Sequence, residues 1–172
     1  LALSDSLYRN DLDGFYLRFP EDWAYDYTVS LAYSTTQTGG AAMSTKEYRF
    51  SARAADGTQR TVLSLLINDL EDWEQYADAL AVEGAFEVYR TDEIIYRLCP
   101  AAQDDYYLSG SDPHFNGMLD EAAQSCADWF HCTGTQTERA VFESRYYPFV
   151  LQLPESWTGY YRGEETGDGT VE

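Results

Sequence analysis

Two histidines, three cysteines and thirty acidic residues carry most of the reactive chemistry in this 172-residue sequence. Their spacing limits what they can do. His114 and His131 lie on one helical stretch, so at the α-helical rise they stand about 25 Å apart, too far to share a metal ion. His131, near the end of that stretch, is expected to complement the helix C-terminal dipole. Cys126 and Cys132 match neither a C-x-x-C redox motif nor a zinc-ribbon spacing. Cys126 falls on an apolar stripe and reads as a small buried side chain. In an exported protein, a bridge from Cys99 to Cys126 or Cys132 would pin a strand to the helix and leave one thiol over. Ser109-Gly110-Ser111 lacks the strand-to-helix nucleophile elbow, and no glycine-rich phosphate cradle occurs. Acidic pairs such as Glu71-Asp72, Asp92-Glu93 and Asp104-Asp105 have the composition for glycoside hydrolysis. With so many acids adjacency arises by chance, and these pairs read as solvated surface. Asp11-Leu12-Asp13-Gly14 resembles a calcium loop, but Arg9 and Pro20 occupy ligand positions and exclude an EF-hand. No catalytic residue, metal ligand or cofactor is therefore expected.

Tyrosine is the more suggestive residue. Fifteen are present, several as adjacent pairs: Tyr106-Tyr107, Tyr146-Tyr147 and Tyr160-Tyr161. On a strand each pair sends one ring inward and one outward, and outward tyrosines supply contact area at low entropic cost. Tyr106, Tyr107, Tyr146, Tyr160 and Trp157 form the candidate binding surface. The competing reading is that these rings shield the edge of a small sheet.

Lys and Arg number 11 against 30 Asp and Glu, a formal charge of −19. That balance excludes the basic footprint of nucleic-acid binding and a polybasic hold on anionic lipid. No apolar run has membrane-spanning length, so direct insertion of this chain is not expected. The apolar content of 44% is enough for a core. The bases are ten arginines and Lys46 alone, which reads as genomic base composition. The sequence opens at Leu1 without a basic or apolar leader, as a mature or trimmed chain would, with any export signal upstream.

The elements that must position these groups follow from periodicity. Phe15, Leu17 and Phe19 alternate with Tyr16 and Arg18 as a half-buried strand does, Pro20 ends it, and Trp23 folds back as a core plug. A carbohydrate-stacking role is the alternative for Trp23 and Trp157. Further strands are expected at 25–33, 47–53, 60–68, 85–90 and 93–99, with Ser34 to Ser44 a polar loop. The nearly continuous apolar run Val62–Ile67 marks a central strand covered on both faces. Leu70, Trp73, Tyr76, Ala77 and Leu80 share one face of a helix that Glu83-Gly84 stops. Asp112 caps a second helix from Pro113 to about Phe130, with Phe115, Met118, Leu119, Ala122, Cys126, Trp129 and Phe130 in one stripe.

An internal repeat organises the chain. Phe15-Tyr-Leu-Arg-Phe-Pro-Glu-Asp-Trp23 returns as Phe149-Val-Leu-Gln-Leu-Pro-Glu-Ser-Trp157, and with Tyr27 and Tyr161 the copies share six identities in 13 positions. Residues 1–134 then read as a complete α+β domain, an antiparallel sheet covered by two helices. Residues 135–172 read as a partial second copy, strand-Pro-Glu-Ser-Trp-strand. Such a piece cannot bury its own apolar face, so it is expected to dock on the first domain or on another chain, giving a homo-oligomer.

The Gly14–Trp23 strand, the Val62–Ile67 strand and the helix ending Trp129-Phe130 resemble uncharacterised secreted or lipid-anchored domains of Firmicutes. More loosely they resemble the Mog1/PsbP-like fold. The resemblance covers residues 12–131, implies an extracytoplasmic location, and transfers no catalytic residue. The expected function is a non-enzymatic interaction module with a protein or glycan partner. The alternative is a carboxylate-dependent glycan hydrolase or carbohydrate-binding domain.

Overall fold

Alternating apolar residues and a proline stop build the first well-packed element of the computed structural model, which describes residues 6–102, 112–133, 141–143 and 150–152. After a short strand β1 (Leu7–Asn10), β2 (Phe15–Arg18) buries Phe15 and Leu17 completely. Pro20 opens a single 3-10 turn, Glu21–Trp23, which delivers the fully buried Trp23 ring. Three long strands follow: β3 (Tyr27–Thr38), β4 (Ala41–Arg53) and β5 (Gln59–Asp69). Helix α1 (Leu70–Leu80) leads into the hairpin β6 (Phe86–Arg90) and β7 (Ile94–Pro100). Helix α2 (Pro113–Trp129) precedes β8 (Phe130–Cys132), β9 (Val141–Glu143) and β10 (Val150–Gln152). All ladders of the five-stranded sheet are antiparallel, in the order β3-β4-β5-β7-β6. β1, β2 and β8 form a three-stranded sheet in the order β1-β2-β8. The mixed α+β class expected from the sequence is thus observed.

The segment Ser34 to Ser44 is not a loop. β3 and β4 pair continuously from Tyr27↔Ala52 to Thr38↔Ala41, and only Gly39 and Gly40 turn the chain. Both glycines have positive φ, 57° and 87°, the geometry that a two-residue hairpin needs to match strand twist. The threonines and serines that resemble a polar loop are, on a pleated surface, good strand formers.

β5 is central, as its apolar run requires: seven consecutive residues, Val62 to Asn68, are buried. Its two faces are nevertheless different. The front face carries Tyr48, Phe50, Leu63, Leu65, Tyr96 and Leu98, which the registers set in rows. α2 covers this face with its expected stripe, every member of which is buried. Phe19 knits the layer, its ring 5.2 Å from Phe50 and 5.8 Å from Trp129. Asp112 holds the helix start: one oxygen accepts from the Phe115 N–H at 3.0 Å and the other from the Ala55 N–H at 2.5 Å. A single carboxylate therefore caps α2 and ties it to the β4–β5 turn.

The chain divides into two compact units. One contains residues 17–130 with the segment ending at Tyr8, and holds everything described so far on the five-stranded sheet. The other contains Arg9–Tyr16 and the chain from His131 onward. In it, β9 and β10 pair antiparallel with Leu151 opposite Phe142, and the Thr133 N–H donates to the Gly14 carbonyl. His131 does not end the helix, which stops at Trp129; its ring stacks on Tyr16 at 4.5 Å instead. The dipole role expected for it is corrected accordingly. Most of the repeated segment 149–157 lies outside the described residues.

Candidate functional site

Strand alternation sends Thr45, Glu47 and Arg49 of β4 to the back face of the sheet. Across the ladder they meet Ser64, Leu66 and Asn68 of β5, then Arg97 and Cys99 of β7. This face is polar by sequence, and α1 covers only part of it.

Under α1 the polar groups are sealed. Arg97 and Asn68 are each 2% exposed, and the Arg97 guanidinium donates to Asn68 Oδ1 at 2.7 Å and to the Leu80 carbonyl at 3.1 Å. Its guanidinium carbon lies 4.1 Å from the Trp73 ring centre, and Asn68 Nδ2 donates to Thr45 Oγ1 at 2.7 Å. Burial pulls the guanidinium below its ordinary pKa, yet an arginine remains charged. The last carbonyls of a helix lack internal partners, and Leu80 finds one in this cation. Arg97 thus anchors the end of α1 to the sheet.

Beyond α1 the same face is left open by the described residues. A cleft of about 720 Å³ is lined by Glu47, Arg49, Thr61, Ser64, Cys99 and the Glu83-Gly84 turn, among others. Arg49 Nη2 lies 2.7 Å from Glu47 Oε2, and Ser64 Oγ donates to Glu47 Oε1 at 2.8 Å. Burial pushes the Glu47 carboxyl up, but the bonds from Arg49 and Ser64 and the Arg49 charge together hold it below its usual value. Cys99 donates weakly to the Glu83 carbonyl at 3.5 Å. Burial, reinforced by the Glu47 charge, pushes its thiol up against the opposing pull of Arg97. The two groups are displaced away from neutrality in opposite directions, one a fixed carboxylate and the other a fixed thiol. Glu47 and Cys99 can hold a polar ligand, but neither is tuned to move a proton or attack as a nucleophile at neutral pH.

The residues singled out from sequence fall elsewhere. Tyr106, Tyr107, Tyr146, Trp157 and Tyr160 lie outside the described residues. Trp23 is no sugar platform: its ring is fully buried, and its Nε1–H donates to Glu121 Oε2 at 2.7 Å. The three cysteines are free. Cys99 projects from the back face while Cys126 belongs to the stripe packed on the front, so the sheet itself separates that expected pair. His114 Nε2 lies 3.0 Å from Asp26 Oδ2 with both side chains about half exposed. No group of three or more metal-ligating side chains occurs among the described residues, and no helix among them is long and apolar enough to cross a membrane.

The cleft residues were not singled out from sequence, although a signal existed. Ser64 interrupts the apolar run Val62–Ile67, and Thr45, Glu47 and Arg49 recur at the two-residue period of a single strand face. Fold and site together define an α+β protein with one sheet face sealed and the other left partly open and polar. Comparison with family models, curated proteins and solved structures returns no match.

Proposed function

We propose that this chain is a non-enzymatic interaction module of a secreted or cell-surface protein, and that it engages a protein partner through the open half of the back face. The observation that carries this reading is the Glu47–Arg49–Ser64 arrangement in the cleft. A charge pair fixed before binding supplies donors and acceptors at little further ordering cost, which suits recognition. The Glu47 carboxylate and Cys99 thiol, displaced away from neutrality, do not suit proton transfer. The extracytoplasmic location rests on the resemblance to secreted Firmicutes domains. Mog1/PsbP-like identity is part of the same reading, supported by the α+β class and by the strand–Pro–Trp opening.

The test places a photo-crosslinking amino acid at Thr61 in cells that produce the protein. The expected result is one discrete protein adduct in the extracytoplasmic fraction, at least tenfold weaker when Arg49→Glu is added. Absence of a protein adduct overturns the reading. So does hydrolysis of chromogenic glycosides that Glu47→Gln abolishes, which favours a carboxylate-dependent hydrolase.

A further inference from the structure

The two edges of the five-stranded sheet are built differently. β6 is short, five residues, with a bulge between Glu87 and Tyr89. Its Glu87 and Arg90 form a two-bonded pair at 2.7 and 2.5 Å. Short length, a bulge and charge are the devices by which a sheet edge avoids pairing with other chains. β3 has none of them. It runs twelve residues, keeps perfect register with β4, and contains no charged residue or proline. The charge-free stretch extends from Tyr27 to Thr45 in a chain that is 24% charged overall. Among the described residues no strand lies beyond β3, so the outward backbone groups of Val29–Thr38 have no ladder partner there.

We propose that this edge is a self-association surface, on which β3 pairs antiparallel with β3 of a second copy to make one continuous ten-stranded sheet. The charge distribution selects a second copy as occupant. Two chains of −19 repel wherever their acids meet, and the β3 edge is where two copies can approach with no acid on either pairing strand. The strand is also self-complementary about a two-fold normal to the sheet. Centred on Leu31, that axis sets Val29 against the partner's Tyr33, a favourable β-branched–aromatic cross-strand pair. On the opposite side it sets Ser30 against the partner's Ala32 and Thr28 against the partner's Ser34, rows small enough for close approach. Tyr33 is 44% exposed in the single chain, and the pairing would cover it. The contact is isologous and closes as a dimer.

Sedimentation of the full chain tests this. Wild type is expected at twice the 19.6 kDa chain mass. Ser30 is exposed, so Ser30→Glu and Ser30→Lys leave the fold intact by circular dichroism while placing like charges beside the axis. Each alone is expected at the single-chain mass, and an equimolar mixture is expected to recover the double mass. A wild type that sediments only as single chains overturns the proposal. A double mass that survives Ser30→Glu also overturns it and points to pairing through another segment, such as the second copy of the strand motif. Failure of the mixture to recover the double mass equally contradicts a two-fold at this strand.

Discussion

Replacing Trp23 by alanine is expected to lower unfolding free energy by about 3–5 kcal/mol, the usual cost of removing a large buried aromatic. Trp23 is fully buried between the strand motif and α2. Its ring stacks on Phe19 with centroids 5.2 Å apart and an 8° tilt, and meets Trp129 edge-on at 5.1 Å. Truncation leaves a void between the strand motif and α2 that rigid neighbours on the sheet cannot fill. Trp23→Phe keeps much of the apolar contact but orphans Glu121 Oε2, which accepts the indole N–H at 2.7 Å. Its expected cost is smaller, about 1.5–3 kcal/mol, the range for a hydrogen bond to a charged group. Urea titration of both variants checks the order. A loss below about 1 kcal/mol for Trp23→Ala would mean that the ring is not the plug of this core.

Arg97→Ala is the second large effect, expected at about 3–5 kcal/mol, the range for uncoupling a buried charged network. The substitution removes the donors to Asn68 Oδ1 and the Leu80 carbonyl, and the cation over the Trp73 ring. Each partner is left dry and unsatisfied, which costs more than the bonds contributed. Among the described residues no carboxylate pairs with Arg97, and its Nε has no hydrogen-bond partner there. The network therefore fixes geometry more than it adds stability. The triple variant Arg97→Met, Asn68→Leu, Thr45→Val, which makes the patch apolar, is expected to recover most of the loss. Amide exchange supplies the functional readout. With Arg97 gone the end of α1 loses its anchor, and the last turn of α1, residues 77–80, which leads to the Glu83-Gly84 wall of the cleft, is expected to exchange faster than in wild type. If Arg97→Ala unfolds like wild type and residues 77–80 keep their wild-type protection, the anchoring role is wrong.

These effects trace how much the residues disclose on their own. The front face is legible because its determinants are local. Phe15, Leu17 and Phe19 alternate up to a proline, Asp112-Pro113 is a cap signature, and the α2 stripe holds a helical period over more than four turns. The back face is not, because its order is long-range. Arg97 and Asn68 are polar residues inside strands, and only the register that sets Asn68 beside Thr45 and Arg97 under Trp73 turns them into a sealed network. The hairpin at Gly39-Gly40 was hidden by composition: Thr35, Thr36 and Thr38 suit a loop and an exposed edge strand equally well. The tyrosine surface drew attention by count, while the open cleft is built from ordinary serine, threonine, glutamate and arginine positions that only pairing brings together.

The asymmetry between a sealed front face and a partly open back face is the centre of this account, and the cysteines report on it directly. Cys126 is buried on the sheet-facing side of α2, its thiol pushed up to about 11 chiefly by burial, whereas Cys99 is partly exposed at the cleft. Native alkylation in mildly alkaline buffer, with the modified sites mapped by mass spectrometry, compares the two thiols within one molecule. Three free, reduced thiols are expected, with steady modification of Cys99 and protection of Cys126 until the protein is unfolded. Modification of Cys126 as fast as Cys99 in the folded chain, or a disulfide between them, would contradict it.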